Sequence, residues 1–100
     1  MKSFQQELAS SSYFILDGAL GTELYQRGIF INRCFEQANL TDEQLVRSIH
    51  KDYLDAGAQI ITTNSWGANS LKLKNYSLDD QVFEINEKAA KLAKQVCQDY

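Results

Sequence analysis

An α/β architecture made of two βα units follows from three features of this 100-residue chain. The apolar run Tyr13-Phe14-Ile15-Leu16 ends in Asp17-Gly18 and is followed by a helical stretch. A second short run, Gln59-Ile60-Ile61-Thr62-Thr63, is β-branched and ends in Asn64-Ser65-Trp66-Gly67. Between and after these runs, apolar residues recur at helical spacing. Strands that alternate with helices pack as a parallel sheet, and ligand sites of such folds gather at the C-terminal ends of the strands.

Each element has a local reason. Met1 to Ser12 is polar and lacks the apolar core of a signal peptide. Tyr13 to Leu16 is apolar without alternation, which predicts a strand covered on both faces. Ala19 to Arg27 then carries Leu20 and Leu24 on one side, with Gly28 as a stop. Glu23 is placed to pair with Arg27 one helical turn on. No period holds from Ile29 to Leu40, which reads as a connecting loop packed partly against the body and able to close over a site.

Thr41-Asp42-Glu43-Gln44 has the form of a capping box, so a helix is expected to begin at Asp42. Leu45, Val46, Ile49, Tyr53 and Leu54 form its apolar stripe, and Gly57 supplies the left-handed residue that ends it. The run Gln59–Thr63 then returns as a second strand parallel to the first. Ala68 to Lys74 predicts a short helix, Ser77 a cap, and Asp79 to Tyr100 a long helix striped by Val82, Ile85, Ala89, Leu92, Ala93 and Val96. Glu84 with Lys88 and Glu87 with Lys91 stand four apart in the favourable order.

Composition narrows the function. With 44% hydrophobic and 23% charged residues the chain is that of an ordinary globular domain, and its formal net charge of −3 offers no basic stripe to a nucleic acid. No run approaches the roughly twenty apolar residues that span a bilayer, so neither nucleic acid nor membrane is expected as a partner, and a cytoplasmic location is. Cys34 and Cys97 are far apart, lack metal-ligand spacing, and read as reduced thiols. Gly18 and Gly21 do not give the Gly-x-Gly-x-x-Gly spacing of a dinucleotide site.

Two parallel strands leave open edges, which predicts either the N-terminal part of a larger barrel or sheet, or self-association through those edges. A right-handed crossover returns the chain to the same end of the sheet, so Asp17-Gly18 and Thr63-Asn64 should share one rim.

The segments Ile15-Leu16-Asp17-Gly18-Ala19-Leu20-Gly21-Thr22-Glu23-Leu24, His50-Lys51-Asp52-Tyr53-Leu54-Asp55-Ala56-Gly57-Ala58 and Ile61-Thr62-Thr63-Asn64-Ser65-Trp66-Gly67-Ala68-Asn69 together resemble the N-terminal blocks of the homocysteine S-methyltransferase family. That family includes the homocysteine half of cobalamin-dependent methionine synthase, betaine-homocysteine methyltransferase, and bacterial fusions to methylenetetrahydrofolate reductase. The resemblance implies a (β/α)8 TIM barrel of about 250 residues with its site at the C-terminal rim. Residues 1–100 would be the N-terminal portion of that homocysteine-binding domain, its first two βα units, incomplete in this chain.

The resemblance also implies a zinc held by cysteine thiolates from later strands, which turns the homocysteine thiol into a nucleophile and gives methionine. Neither Cys34 nor Cys97 matches those ligands, so no metal ligand and no catalytic residue is assigned here, and the chain alone is expected to be inactive. The methyl donor, whether methylfolate, cobalamin, S-methylmethionine or betaine, is not specified by these residues. Asp17 and Gly18 match the first motif that approaches homocysteine, the carboxylate suited to its ammonium and the turn amides to its carboxylate. Thr63 and Asn64 match the second motif lining the same pocket.

The bland readings stand beside these: a turn cap for Asp17, strand-end capping for Thr63 and Asn64, a packing or surface role for His50, and a rim plug rather than a stacking platform for Trp66. A non-catalytic truncated α/β module that self-associates or binds a partner is the alternative to an enzyme segment.

Overall fold

The computed structural model describes residues 3–10 and 13–100. Among these residues six α-helices follow in order: α1 (Phe4–Ser10), α2 (Gly21–Gln26), α3 (Ala38–Thr41), α4 (Glu43–Asp55), α5 (Ser70–Lys74) and α6 (Val82–Asp99), with 3-10 turns at Phe35–Gln37 and Asp79–Gln81.

The two expected strands are not formed as strands among the described residues. What remains of them is one isolated parallel bridge, Leu16 to Ile60. Around it, Gln59 N and Ile60 N donate to Ile15 O at 2.7 and 3.3 Å, and Asp17 N donates to Ile60 O at 3.0 Å. The Gln59 side chain adds an acceptor for Ile15 N at 3.0 Å. The one bridge is parallel, but the ladder does not propagate, so the expected βα units are not formed among the described residues. A two-stranded pair has one hydrogen-bonding neighbour per strand and is marginal without further strands. The faces expected to be covered are open, with Ile15 49% and Leu16 60% exposed.

The core lies under the helices. Leu24, Ile29, Ala38, Val46, Ile49 and Leu92 form one buried cluster joining α2, α3, α4 and α6. Cys34, Ala68, Leu73, Leu78 and Ile85 form a second beneath α5 and α6. Burying a leucine or isoleucine side chain of this kind contributes about 1.5–3 kcal/mol. The stripes read from sequence on α4 and α6 supply Val46, Ile49, Ile85 and Leu92. The stretch Ile29–Leu40 is more ordered than a loop: Ile29, Cys34, Ala38 and Asn39 are buried, and α3 forms within it.

Three local expectations are corrected. Thr41 closes α3 instead of capping α4; its hydroxyl donates to Gln37 O at 3.3 Å and to Asp42 Oδ2 at 2.6 Å. The Asp42 carbonyl starts α4 by accepting from Leu45 N and Val46 N. Ser77 caps nothing and turns the chain at φ 59°, whereas Asn69 caps α5 by accepting Lys72 N at 3.0 Å. Lys88 reaches across to Glu43 at 2.6 Å, tying α6 to α4 rather than pairing with Glu84. The Glu87–Lys91 and Glu23–Arg27 pairs form as expected, at 3.3 and 3.1 Å.

Gly57 ends α4 at φ +111°, with nothing within 4 Å of where a Cβ would stand. The cost of a side chain there is therefore backbone strain alone. Gly57→Ala is expected to lower stability by about 1–3 kcal/mol in urea unfolding, and Gly57→Asn by less, since Asn tolerates the left-handed region. Equal stability of all three chains would contradict the assignment.

Candidate functional site

The parallel bridge sets the register of the site. With Leu16 opposite Ile60, the next residue, Asp17, meets the end of the second run, and its carboxylate accepts from Thr62 N at 2.7 Å and from the Thr62 hydroxyl at 3.0 Å. Asp17 therefore cross-links the two chain ends it was expected to share a rim with. Thr62, not Thr63, is the partner, because side chains alternate along an extended run.

A cleft of about 440 Å³ opens at this junction. Asp17, Gly18, Thr63 and Asn64 all line it, so all four residues singled out from sequence come together. Their side chains are differently occupied. The Thr63 hydroxyl stands 2.6 Å from that of Ser65. Asn64 is buried and turned inward, its amide donating to Phe35 O and Asn39 Oδ1 at 3.0 Å each. Asn39 answers by donating to Asn64 O at 2.8 Å and to Ile85 O at 3.2 Å. This reciprocal amide pair pins the second lip of the cleft to α3 and α6.

The first lip is held from α4. The Tyr53 hydroxyl donates to Ala19 O at 2.7 Å, and a Cβ on Gly18 would lie 2.9 Å from the Tyr53 hydroxyl oxygen. Gly18 is thus required for the close approach of a phenol. Among the described residues no side-chain oxygen caps α2, so the amides of its first turn stay open to water or a ligand at the cleft wall. Arg27 braces the same helix, pairing with Glu23 and with Asp52 at 2.9 Å.

Phe35 and Glu36 also line the cleft and were not singled out from sequence, since the stretch that carries them has no hydrophobic period. Trp66 stands at its edge, 83% exposed, with Lys72 Nζ 3.9 Å from the ring centroid. It plugs nothing among the described residues. A separate concavity of about 290 Å³ between α4 and the end of α6 shares no residue with this cleft.

His50 is fully buried on α4, with neither ring nitrogen hydrogen-bonded among the described residues. Burial pushes its pKa down from the ordinary 6.5, against the pull of the Asp17 charge. It is a packing histidine held neutral. Because the folded form resists the proton, the unfolded chain binds it first, and stability present above about pH 6.5 is lost as pH falls below it. The loss is expected at up to about 1.4 kcal/mol per pH unit just below pH 6.5 and to vanish in His50→Leu, His50 being the single histidine. A wild-type stability that stays flat over that window would remove this role.

The residues present do not fit a zinc. Among the described residues no three His, Cys, Asp or Glu side chains converge. Cys34 is buried, its Sγ 3.6 Å from Glu36, and burial with that neighbouring charge raises its pKa; burial also raises that of Cys97. Neither thiol is poised as a thiolate.

Two parallel extended segments, joined by Asp17 and Thr62, border the cleft. The homocysteine S-methyltransferase family profile matches residues 14–100, and the chain belongs to that family. It is 28% identical over 96 residues to methionine synthase of Mycobacterium tuberculosis, covering 90% of this chain and 8% of that one. It is 37% identical over 83 residues to selenocysteine Se-methyltransferase of Brassica oleracea var. italica, covering 79% and 23%. The crystal structure of the homocysteine methyltransferase MmuM from Escherichia coli, in a metallated form, superposes with a TM-score of 0.82 at 30% identity, over 93% of this chain and 33% of that one. The chain therefore spans no more than about a third of the relatives it matches.

Proposed function

We propose that this chain supplies the amino-acid-gripping wall of a homocysteine S-methyltransferase, as the N-terminal portion of a (β/α)8 homocysteine-binding domain in the cytoplasm. The observation that carries the reading is Asp17 at the junction of two parallel chain ends, facing a cleft beside uncapped helical amides. Each Asp17 oxygen keeps a lone pair beyond its bond to Thr62, which suits an ammonium, while the amides of α2 suit an α-carboxylate. Thr63 and Gly18 shape the wall. Asn64 acts at one remove, holding the lip through Phe35 and Asn39. A zinc bound by residues outside this chain would supply the thiolate, and no step through it is assigned to residues here.

Titrating homocysteine into the isotopically labelled chain is expected to move the amide resonances of Asp17–Thr22 and Thr62–Ser65 and to leave α6 still. Perturbations confined to other surfaces, or none at all, would refute the reading. The 100 residues by themselves are expected neither to hold zinc stoichiometrically nor to methylate homocysteine; one tightly bound zinc per chain with turnover would overturn that.

A self-associating module is the second reading, favoured by the exposure of Ile15 and Leu16 beside an unextended bridge. Size-exclusion chromatography separates the two: a folded oligomer whose Asp17 amides ignore homocysteine supports the module.

A further inference from the structure

The hollow between α4 and the end of α6 lies apart from the Asp17 cleft. On α4, Arg47, Ser48 and Lys51 line it at helical spacing, outside the buried stripe of Val46, Ile49 and His50. Val96, Asp99 and Tyr100, three and four positions apart, supply the facing wall. The space is about 290 Å³. That lies at the lower edge of the roughly 300–1,000 Å³ taken by small-molecule ligands, so the occupant is a small metabolite rather than a nucleotide. We propose that this hollow binds a free α-amino acid with an unbranched apolar side chain, its carboxylate on Arg47, its ammonium on Asp99 and its side chain along Val96 and the Tyr100 ring.

The charges in the hollow select a zwitterion. Arg47 makes no hydrogen bond or ion pair among the described residues, and its Nε is buried without an acceptor. The stem is therefore held while the outer guanidinium nitrogens stay uncommitted, a fork suited to a carboxylate. Glu43, one turn earlier, is taken by Lys88 at 2.6 Å. Lys51 is likewise taken by Asp55 at 3.0 Å. Asp99 is exposed and has no cationic partner among the described residues. One free cation and one free carboxylate thus border the same space. A simple anion meets repulsion from Asp99 and a simple cation from Arg47, whereas a molecule carrying both charges satisfies each.

The remaining lining is apolar or already satisfied. Ser48 Oγ donates to Leu45 O at 2.8 Å and accepts from Arg27 Nη1 at 3.3 Å. Val96 is half-buried, and Tyr100, 59% exposed, leaves ring surface to cover an alkyl chain. The methylene stem of Lys51 extends that wall. Among the described residues no thiol or imidazole lines the hollow, so the site binds its occupant and does not transform it.

Norleucine is the probe, titrated into the full chain beside hexanoate, which lacks the ammonium, and norleucine methyl ester, which lacks the carboxylate. The amides of Arg47–Lys51 and Val96–Tyr100 are expected to shift saturably with norleucine, and both analogues to bind about tenfold more weakly, the scale of a lost hydrogen bond between charged groups. Arg47→Gln should erase the advantage of norleucine over the ester, and Asp99→Asn its advantage over hexanoate, with the indole resonance of the single tryptophan reporting an intact fold. If a variant does not fold, the three ligands on the parent chain decide. No saturable shift at these amides, a response confined to Asp17–Thr22, an analogue that binds as tightly as norleucine, or unchanged selectivity in both folded variants overturns the proposal. Homocysteine plays no part in the test, so this site stands or falls separately from the Asp17 cleft.

Discussion

Asn39→Leu is expected to destabilise the chain by about 2–4 kcal/mol. Asn39 is fully buried, and three hydrogen bonds converge on its amide: it donates to Asn64 O and Ile85 O and accepts from Asn64 Nδ2. Leucine keeps the branched outline but leaves the Asn64 carbonyl and one Asn64 N–H without their partner in a dry interior, each at about 1–3 kcal/mol, while Ile85 O keeps its intrahelical bond. Some of that is recovered by burying the added methyl groups, which keeps the total below the sum. Chemical denaturation gives the number, and hydrogen exchange gives its location: amides of Ser65–Ala68 should lose protection first, because the carbonyl of Asn64 anchors that lip. A change under 1 kcal/mol, or uniform loss of protection, would mean that the pair is incidental to the fold.

Asp17→Asn tests structure and binding with one atom. Asparagine keeps an acceptor for the Thr62 amide and can donate its NH2 to the Thr62 hydroxyl, so both contacts survive without the charge that strengthens them. The junction is expected to weaken by about 1–3 kcal/mol in urea. Homocysteine affinity should fall further, by roughly 1.5–3 kcal/mol, the scale of a hydrogen bond to a charged partner, which is about tenfold or more in Kd. Thr62→Val provides the control, removing only the hydroxyl's share of the junction. Should Asp17→Asn bind homocysteine as tightly as the parent while unfolding more easily, the carboxylate serves the turn and not the substrate.

The long helices were legible because their stripes repeat over several turns: Val46 and Ile49 on α4, and Ile85, Ala89 and Leu92 on α6, are buried as their spacing requires. The two extended runs were legible in direction but not in extent. Residue type speaks to β-propensity, whereas a ladder needs neighbours that Ile15 and Leu16 do not have here. The site was half legible. An acidic residue after a strand-like run pointed to Asp17, yet its partner is Thr62, a register fact that Thr62-Thr63 cannot disclose by composition. Asn64 was named as a lining residue, but its inward turn depends on Asn39, a buried polar residue in a stretch without any apolar period. Phe35 and Glu36 were hidden for the same reason.

The bond from Tyr53 to Ala19 has an implication for how the first lip responds to its surroundings. A neutral phenol makes that bond, and burial together with the charges of Glu23 and Asp17 moves its pKa above the usual 10. The latch is accordingly a neutral hydrogen bond that keeps its proton around neutral pH. Only strong alkali, by stripping the proton that the carbonyl needs, springs it open.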